Sequence, residues 1–254
     1  MRRVLQFGFY CFGLSAVQAQ YTEVPSTAPR EGLLVEMDLI SHASHHATQV
    51  PHNVETTSIS IGAILLSKGL TDQLDLQFGF ELWHEEQETV GGETQSVSGQ
   101  GDGWLRMKWN FSGVESEGPA WAILPYLKLP LADNDLGNGS FELGIALAYG
   151  QPLTNNSALN ATLGWDVYDD EAGGHDHAIY SSAALTGNLS EQLAIYGELG
   201  CAIDLAATQD WTAEIGGGVV FAFHERGWID LAVYVGLTDS SADFTPVLRC
   251  GWQF

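Results

Sequence analysis

The chain lacks much of what a soluble enzyme or a helical membrane protein uses. Three cysteines in 254 residues cannot build a disulfide framework. Cys11 has no small-residue context of the kind a lipoprotein cleavage site needs, and Cys201 and Cys250 fall at apolar positions of separate strand-like segments, where a free thiol behaves as a small hydrophobe. No segment beyond the first 19 residues has 18 consecutive apolar residues, which excludes a transmembrane helix. Helical periodicity is scarce throughout. Charged residues make up 16% of the chain, against about 25% in a typical soluble domain. Bases are the scarcest: nine Lys and Arg stand against 32 Asp and Glu, a formal net charge of -23. Such a chain repels nucleic acid. No G-x-S-x-G nucleophile turn occurs, nor a glycine-rich phosphate or dinucleotide pattern between a strand and a helix. The sequence therefore offers no catalytic residue, no cofactor and no metal motif of recognised spacing, and the expectation is that the protein is not an enzyme.

What is present begins with a leader. Arg2 and Arg3 precede a mostly apolar run from Val4 to Leu14, and Val17 and Ala19 place small residues at both positions that determine cleavage. Residues 1–19 read as a signal peptide cut after Ala19. The leader carries two bases and no acid, so 32 acids face seven bases in the remainder. Residues 20–31 read as a short periplasmic segment, and residues 32–254 as one domain.

That domain alternates. Leu74, Leu76, Phe78, Phe80 and Leu82 interleave with Asp75, Gln77, Gly79 and Glu81, so a strand there has one apolar face and one polar or small face. The same alternation runs through Leu105 to Phe111, Leu193 to Ile203 and Ile229 to Leu237. Alternating segments of about 10 residues separated by turns are the signature of barrel strands. Twelve are predicted, over residues 32–41, 56–66, 74–83, 101–111, 119–129, 140–150, 158–168, 177–187, 193–203, 211–223, 228–237 and 244–254. The fold class is all-β, an antiparallel up-and-down transmembrane β-barrel, with an even strand number that puts both termini at one end. Links after even strands are short. The links His42 to Glu55 and His84 to Gln100 are expected as longer loops at the opposite, external end.

Aromatics support the same reading. Trp109, Phe111, Trp121, Tyr149, Phe221, Phe223 and Trp252 fall near one set of strand ends, and Phe141, Trp165, Tyr168, Trp211 and Phe244 near the other, as interface belts require. Pro125 and Pro246 lie inside predicted strands, where each removes a ladder donor, so a bulge or strand end is expected at both.

Interior charges are the candidate functional residues. Arg106, Lys108 and Lys128 fall on neighbouring strands and predict a cationic wall. Glu36, Asp38, Asp75, Glu81, Glu142, Glu198 and Asp230 fall on the same interior, together with Asp102, Asp166 and Glu214. Arg249 falls between Asp230 and the pair Glu36 and Asp38, because the last strand closes against the first. Opposed charged walls orient a polar solute in a pore; the same charges can instead cross-link and plug a small barrel. His42, His45, His46 and His52 crowd one loop, and Asp169, Asp170, Glu171, His175, Asp176 and His177 another. Their chemistry suits a divalent metal, but their spacing matches no motif.

Ordered stretches carry a resemblance. Thr22-Glu23 with Pro25 and then Gly32 to Met37 form the opening. Gly69 to Asp72 before Leu74 to Leu76 form a first hairpin turn, and Gly101-Asp102 leads to Lys108-Trp109. Leu124 to Pro130 with Leu136 to Gly139 form a central signature. Leu189 to Leu193 with Tyr196 and Glu198 follow, and then Gly236 to Thr238, Pro246 and the ending Gly251 to Phe254. Over residues 22–254 the chain resembles the family of outer-membrane transporters labelled as the MetA pathway of phenol degradation. The resemblance implies the bacterial outer membrane as location. It also implies a channel or transporter for passive passage of small molecules, aromatic or otherwise hydrophobic. The alternative is a non-conducting structural or surface-binding barrel. The terminal Phe254 resembles the assembly signal of such proteins, so the expected partners are outer-membrane lipid, the barrel assembly machinery and a small-molecule solute.

Overall fold

The computed structural model describes residues 21–48, 53–113, 118–133, 136–170, 174–205 and 211–254; the leader over residues 1–19, His52 and Glu171 lie outside them. These residues form thirteen strands and no helix: β1 (Leu33–Thr48), β2 (Asn53–Gly69), β3 (Leu74–Val90), β4 (Glu93–Gly99), β5 (Gly103–Ser112), β6 (Ala120–Leu129), β7 (Glu142–Thr154), β8 (Ser157–Asp169), β9 (His175–Asn188), β10 (Leu193–Asp204), β11 (Trp211–His224), β12 (Gly227–Gly236) and β13 (Phe244–Gln253). All pairings are antiparallel. Twelve strands close into a ring, because β2 pairs with β3, β1 pairs with β13, and β3 bypasses β4 to pair with β5. The barrel is the one the alternation predicts, with β4 as an extra strand hung on β3.

Alternation dictates which face turns inward. On β3, Asp75 and Gln77 are 1% and 2% exposed while Leu76 and Leu82 are 44% and 55% exposed. The same inversion holds on the opposite wall, where Asp230 is 1% and Leu231 62% exposed. A water-soluble fold would bury the leucines. Here the apolar face is the outer surface, and the solvent that suits it is lipid. The free thiols of Cys201 and Cys250 fall on this outward face.

Aromatic rings collect at the barrel ends. Trp121 and Tyr149 lie 4.6 Å apart between ring centres, Trp109 and Phe111 5.9 Å, and Phe223 and Trp252 6.1 Å, all at the terminal end, where β1 begins and β13 finishes. Phe141, Trp165, Trp211 and Phe244 are exposed at the far end. Tyr168 is a correction to the expected belt. It shares the inward parity of Thr162, Gly164 and Asp166, and its hydroxyl donates to Asp204 Oδ1 at 2.6 Å.

The two long external loops are also corrected. Most of residues 42–55 and 84–99 are strand. β1, β2 and β3 run past the ring, pairing as His46–Glu55 and Glu55–Thr89, and β4 adds a fourth strand through pairs from His84–Gly99 to Val90–Glu93. Gly91 and Gly92 make the two-residue turn between β3 and β4 with φ of 61° and 90°. Positive φ at both turn positions matches the twist of a tight hairpin and favours glycine. This projecting sheet has polar residues on both faces, so it lacks the apolar period that marks the barrel strands.

Neither proline shifts the register. Pro125 pairs with Ile145 and Pro246 with Val233, each inside a continuous strand. The irregularities in the described pairings fall elsewhere, between Asp38 and Ile40 on β1, Asn110 and Ser112 on β5, Pro152 and Thr154 on β7, and Ala222 and His224 on β11. A proline needs only that its nitrogen face a gap in one ladder, so a bulge at the proline itself is unnecessary.

Candidate functional site

The barrel interior is built from side chains two apart on each strand. It is filled at the terminal end by residues 21–28. From Tyr21 to Ala28 the backbone runs without regular structure and takes its hydrogen bonds from the wall. Tyr21 N donates to Glu198 Oε1 at 3.0 Å, Glu23 N to Thr162 Oγ1 at 2.8 Å, and Ala28 N to Asp75 Oδ2 at 2.8 Å. Asn110 Nδ2 donates to the Pro25 carbonyl at 3.1 Å, and Thr22 Oγ1 to Ser182 Oγ at 2.8 Å. A backbone with no strand partner needs such donors and acceptors once water is excluded. The polar inward face of the barrel supplies them.

Four groups of interior charges result. Glu23 meets Arg106 with one carboxylate oxygen and Lys108 Nζ with the other, the latter at 3.0 Å. Lys128 has polar partners of its own. It pairs with Glu142 at 2.9 Å and Asp102 at 3.4 Å and donates to Asn138 Oδ1 at 2.8 Å. Arg249 lies between two acids, with Nε 2.6 Å from Asp38 Oδ1 and a terminal nitrogen 3.9 Å from Asp230 Oδ2. The register fixes this arrangement, since Asp38, Arg249 and Asp230 are cross-strand partners on three adjacent strands. The fourth group joins tyrosines to acids. Tyr196 donates to Asp230 at 2.9 Å and Tyr234 to Glu198 at 3.0 Å, while Tyr21 donates to Glu214 and Tyr126 to Asp166.

Glycine makes room for these rings. Gly164 is the cross-strand partner of Tyr180, and a Cβ there would lie 2.0 Å from Tyr180 Cζ. Gly144 stands in the same relation to Tyr126. Tyr196 over Gly218 and Tyr234 over Gly216 repeat the arrangement, so these four rings pack against the wall instead of crossing the lumen.

Beside Tyr21, Thr22 and Glu23 a cavity of about 500 Å³ opens. Tyr21, Thr22 and Glu23 floor it. Glu36, Asp38, Arg106, Arg249 and Glu214 bring charge to its lining, and Trp104, Tyr126, Tyr180 and Leu124 bring rings and carbon. Among the sequence-predicted residues, Glu36, Asp38, Arg106, Glu214 and Arg249 are thus brought together around one space. Lys108, Asp75, Glu198 and Asp230 lie buried in the packed wall, Lys128 and Glu142 form their own pair, and Glu81 bonds His84 Nδ1 at 3.1 Å. Sequence reasoning missed Tyr21, Thr22 and Glu23 as interior residues. The signal was an acid placed just before a barrel whose fifth strand carries two inward cations.

The loop histidines are engaged singly. His45 Nδ1 lies 2.8 Å from the Ser241 carbonyl, and His46 lies 2.8 Å from Asp243 and 3.3 Å from Glu55. The hydrogen bond with Asp243 raises the His46 pKa and lowers that of Asp243. His46 stands beyond the membrane-spanning part of β1, and Asp243 lies just before β13 begins. Among the described residues no three His, Cys, Asp or Glu side chains converge as a metal ion would require.

Solved barrels of distant sequence share the fold. The translocator domain of the autotransporter NalP from Neisseria meningitidis superposes with a TM-score of 0.58 at 9% identity, over 88% of each chain. A monoaromatic hydrocarbon channel, CymD, gives 0.50 at 9% identity, over 97% of this chain and 96% of its own. The KdgM porin gives 0.52 at 7% identity, over 87% of this chain and 99% of its own. At these identities the likeness is one of fold. Among curated proteins no sequence matches. The family model described as "Putative MetA-pathway of phenol degradation" matches residues 40–254, most of the chain, and the protein, an outer-membrane β-barrel, belongs to that family.

Proposed function

We propose that the barrel is a channel for passive passage of small molecules across the outer membrane, with aromatic compounds as the main class. The observation that carries this reading is the cavity of about 500 Å³ inside the closed wall. Sites for small molecules commonly span about 300–1,000 Å³ and combine apolar walls with a few polar groups. Trp104, Tyr126 and Tyr180 offer faces for a ring, and Arg106 and Glu36 offer polar ends. The family's description and the name of the CymD channel both refer to aromatic compounds, which supports the solute class. The end holding the termini faces the periplasm, and the projecting sheet faces outward. A cysteine placed at Gly91 then labels from outside intact cells.

Cells carrying the barrel should take up labelled phenol several-fold faster than cells lacking it. Equal rates, together with no conductance in planar bilayers, would sink the reading. A second reading, a non-conducting barrel, draws on the packed terminal end, where Glu23, Arg106 and Lys108 tie the N-terminal segment to the wall. Conductance of the chain lacking residues 21–31 separates the two, since a merely obstructed channel opens and a solid barrel does not. Phe254, whose nitrogen donates to the Leu33 carbonyl at 2.8 Å and which stands beside Trp252 at the closing seam, acts as the assembly signal. Phe254→Asp should lower the yield of inserted barrel, and a normal yield would remove that role.

A further inference from the structure

Glu23 is a carboxylate carried on an irregular segment, whereas the cations it meets belong to the wall. Arg106 and Lys108 are two apart on β5, on one face, and their positions are set by the barrel ladder. Lys108 is 3% exposed. Buried cations require an anion, and Glu23 is the acid in ion-pair contact with both among the described residues. The two cations can give more than Glu23 takes: Arg106 Nε is buried with no hydrogen-bond partner among the described residues. Arg106 also lines the cavity, beside Trp104, Tyr126 and Tyr180. A guanidinium fork next to an ammonium is chemistry suited to a carboxylate, and here a carboxylate from the chain already fills it.

We propose that Arg106 and Lys108 form a carboxylate-binding site that the chain occupies with its own Glu23, and that a small aromatic carboxylate entering the cavity competes for this site and frees the stretch of segment around Glu23. The inference rests on the channel reading and narrows its solute class to aromatic acids. The ring lies among Trp104, Tyr126 and Tyr180 while the carboxylate replaces that of Glu23 on Arg106 and Lys108. Tethering gives Glu23 a high local concentration. A free ligand therefore binds with its intrinsic affinity reduced by the fraction of time the site stands open. The segment is thus both plug and competitor, and its release is coupled to the arrival of solute.

The test uses the purified full chain, benzoate as probe and benzyl alcohol as the uncharged control. Calorimetric titration should show Glu23→Gln binding benzoate about tenfold tighter than the unaltered chain, because the internal competitor is gone. Adding Arg106→Gln should abolish that gain, and benzyl alcohol should bind all three alike. In planar bilayers benzoate should raise the conductance of the unaltered chain, and Glu23→Gln should conduct without it. Where Glu23→Gln does not fold, by the heat-dependent gel mobility that reports a closed barrel, Glu23→Asp is read in its place. It draws the carboxylate back by one methylene and should also tighten benzoate binding. Equal benzoate affinity with and without Glu23 overturns the proposal. The chain lacking residues 21–31 keeps the two readings apart: if it conducts while benzoate affinity is indifferent to Glu23, the channel stands and the competition is wrong. If it does not conduct, the channel reading itself fails.

Discussion

The barrel and the sheet that projects from it are made by the same strands, yet they follow opposite rules. Along the first part of β3, one face is apolar and turned outward while the other carries Asp75 and Gln77 in a packed interior. Further along the same strand, from His84 to Val90, both faces are polar or half exposed. Ion pairs show the difference. Arg249 has a side chain 9% exposed and contacts Asp38 and Asp230 inside the wall. His46, with a side chain 61% exposed, contacts Asp243 and Glu55 in water. Water makes the second kind of pair nearly dispensable, while its absence makes the first kind obligatory.

The largest effect should come from the interior pair. Arg249→Met leaves Asp38 and Asp230 facing each other without a cation, and it should cost about 3–5 kcal/mol in folding equilibria measured by denaturant in lipid vesicles. A cost under 1 kcal/mol would mean that water reaches Asp230 and that the interior resembles the projecting sheet. Next come charges on the outward face. Leu231→Arg should cost about 2–4 kcal/mol near mid-membrane, whereas Val90→Arg at the tip of the sheet should change stability by less than about 0.5 kcal/mol. Similar costs at the two positions would place the sheet in lipid as well.

Glycines sharpen the contrast at a smaller scale. Gly164→Ala should cost about 1–3 kcal/mol by overpacking against Tyr180. Adding Tyr180→Ala should relieve part of it, giving a favourable coupling in a double-mutant cycle. Gly92→Ala in the sheet should cost about 1 kcal/mol from its positive φ alone. Nothing lies within 4 Å of a Cβ there, so no second substitution should rescue it. Loss of the Gly164 coupling would show that the ring is free to move into the lumen.

The smallest effect concerns the latch between β1 and the segment before β13. The His46 pKa is raised by its hydrogen bond with Asp243. Its stabilisation is therefore complete below the ordinary histidine value of about 6.5 and is lost as pH rises through the raised value. The Asp243 pKa is lowered by the same contact. Its stabilisation is present above the ordinary aspartate value of about 3.9 and is lost as pH falls through the lowered one. The latch should hold best between the two. Protease cleavage between Thr48 and Asn53 should be slower near about pH 5.5 than near about pH 8.5, and His46→Ala should erase the difference. A pH effect that survives His46→Ala would assign it elsewhere.

How much of this was legible varies with the environment of each segment. The spanning strands were readable because lipid on one side and a polar interior on the other force a two-residue period, as in Leu74 to Leu82. The extensions from His42 to Thr48 and from His84 to Gly99 were not, because water on both faces imposes no period. Gly91-Gly92 did mark a turn there, yet the flanking residues lack the apolar alternation that would have made it a hairpin. Tyr168 was misplaced by type, since a tyrosine suits an interface and an acid-lined interior equally well; its parity with Thr162 and Asp166 was the better guide. The inward parity of Arg106, Lys108 and Lys128 was readable from the alternation, but which acid each meets was not: Glu23 meets the first two and Glu142 with Asp102 the third.

The sequence by itself determined the closed antiparallel wall, its inward and outward faces, and the pairing of Arg249 with Asp38 and Asp230. These follow from local alternation and from closure of the last strand on the first, and neither depends on distant side chains. Only the tertiary structure decided that Tyr21, Thr22 and Glu23 enter the lumen. Glu23 lies 83 residues from Arg106 along the chain and has no strand register to tie it there. Its place is set by the need of two interior cations for an anion and of an unpaired backbone for donors, and those needs exist only once the ring has closed.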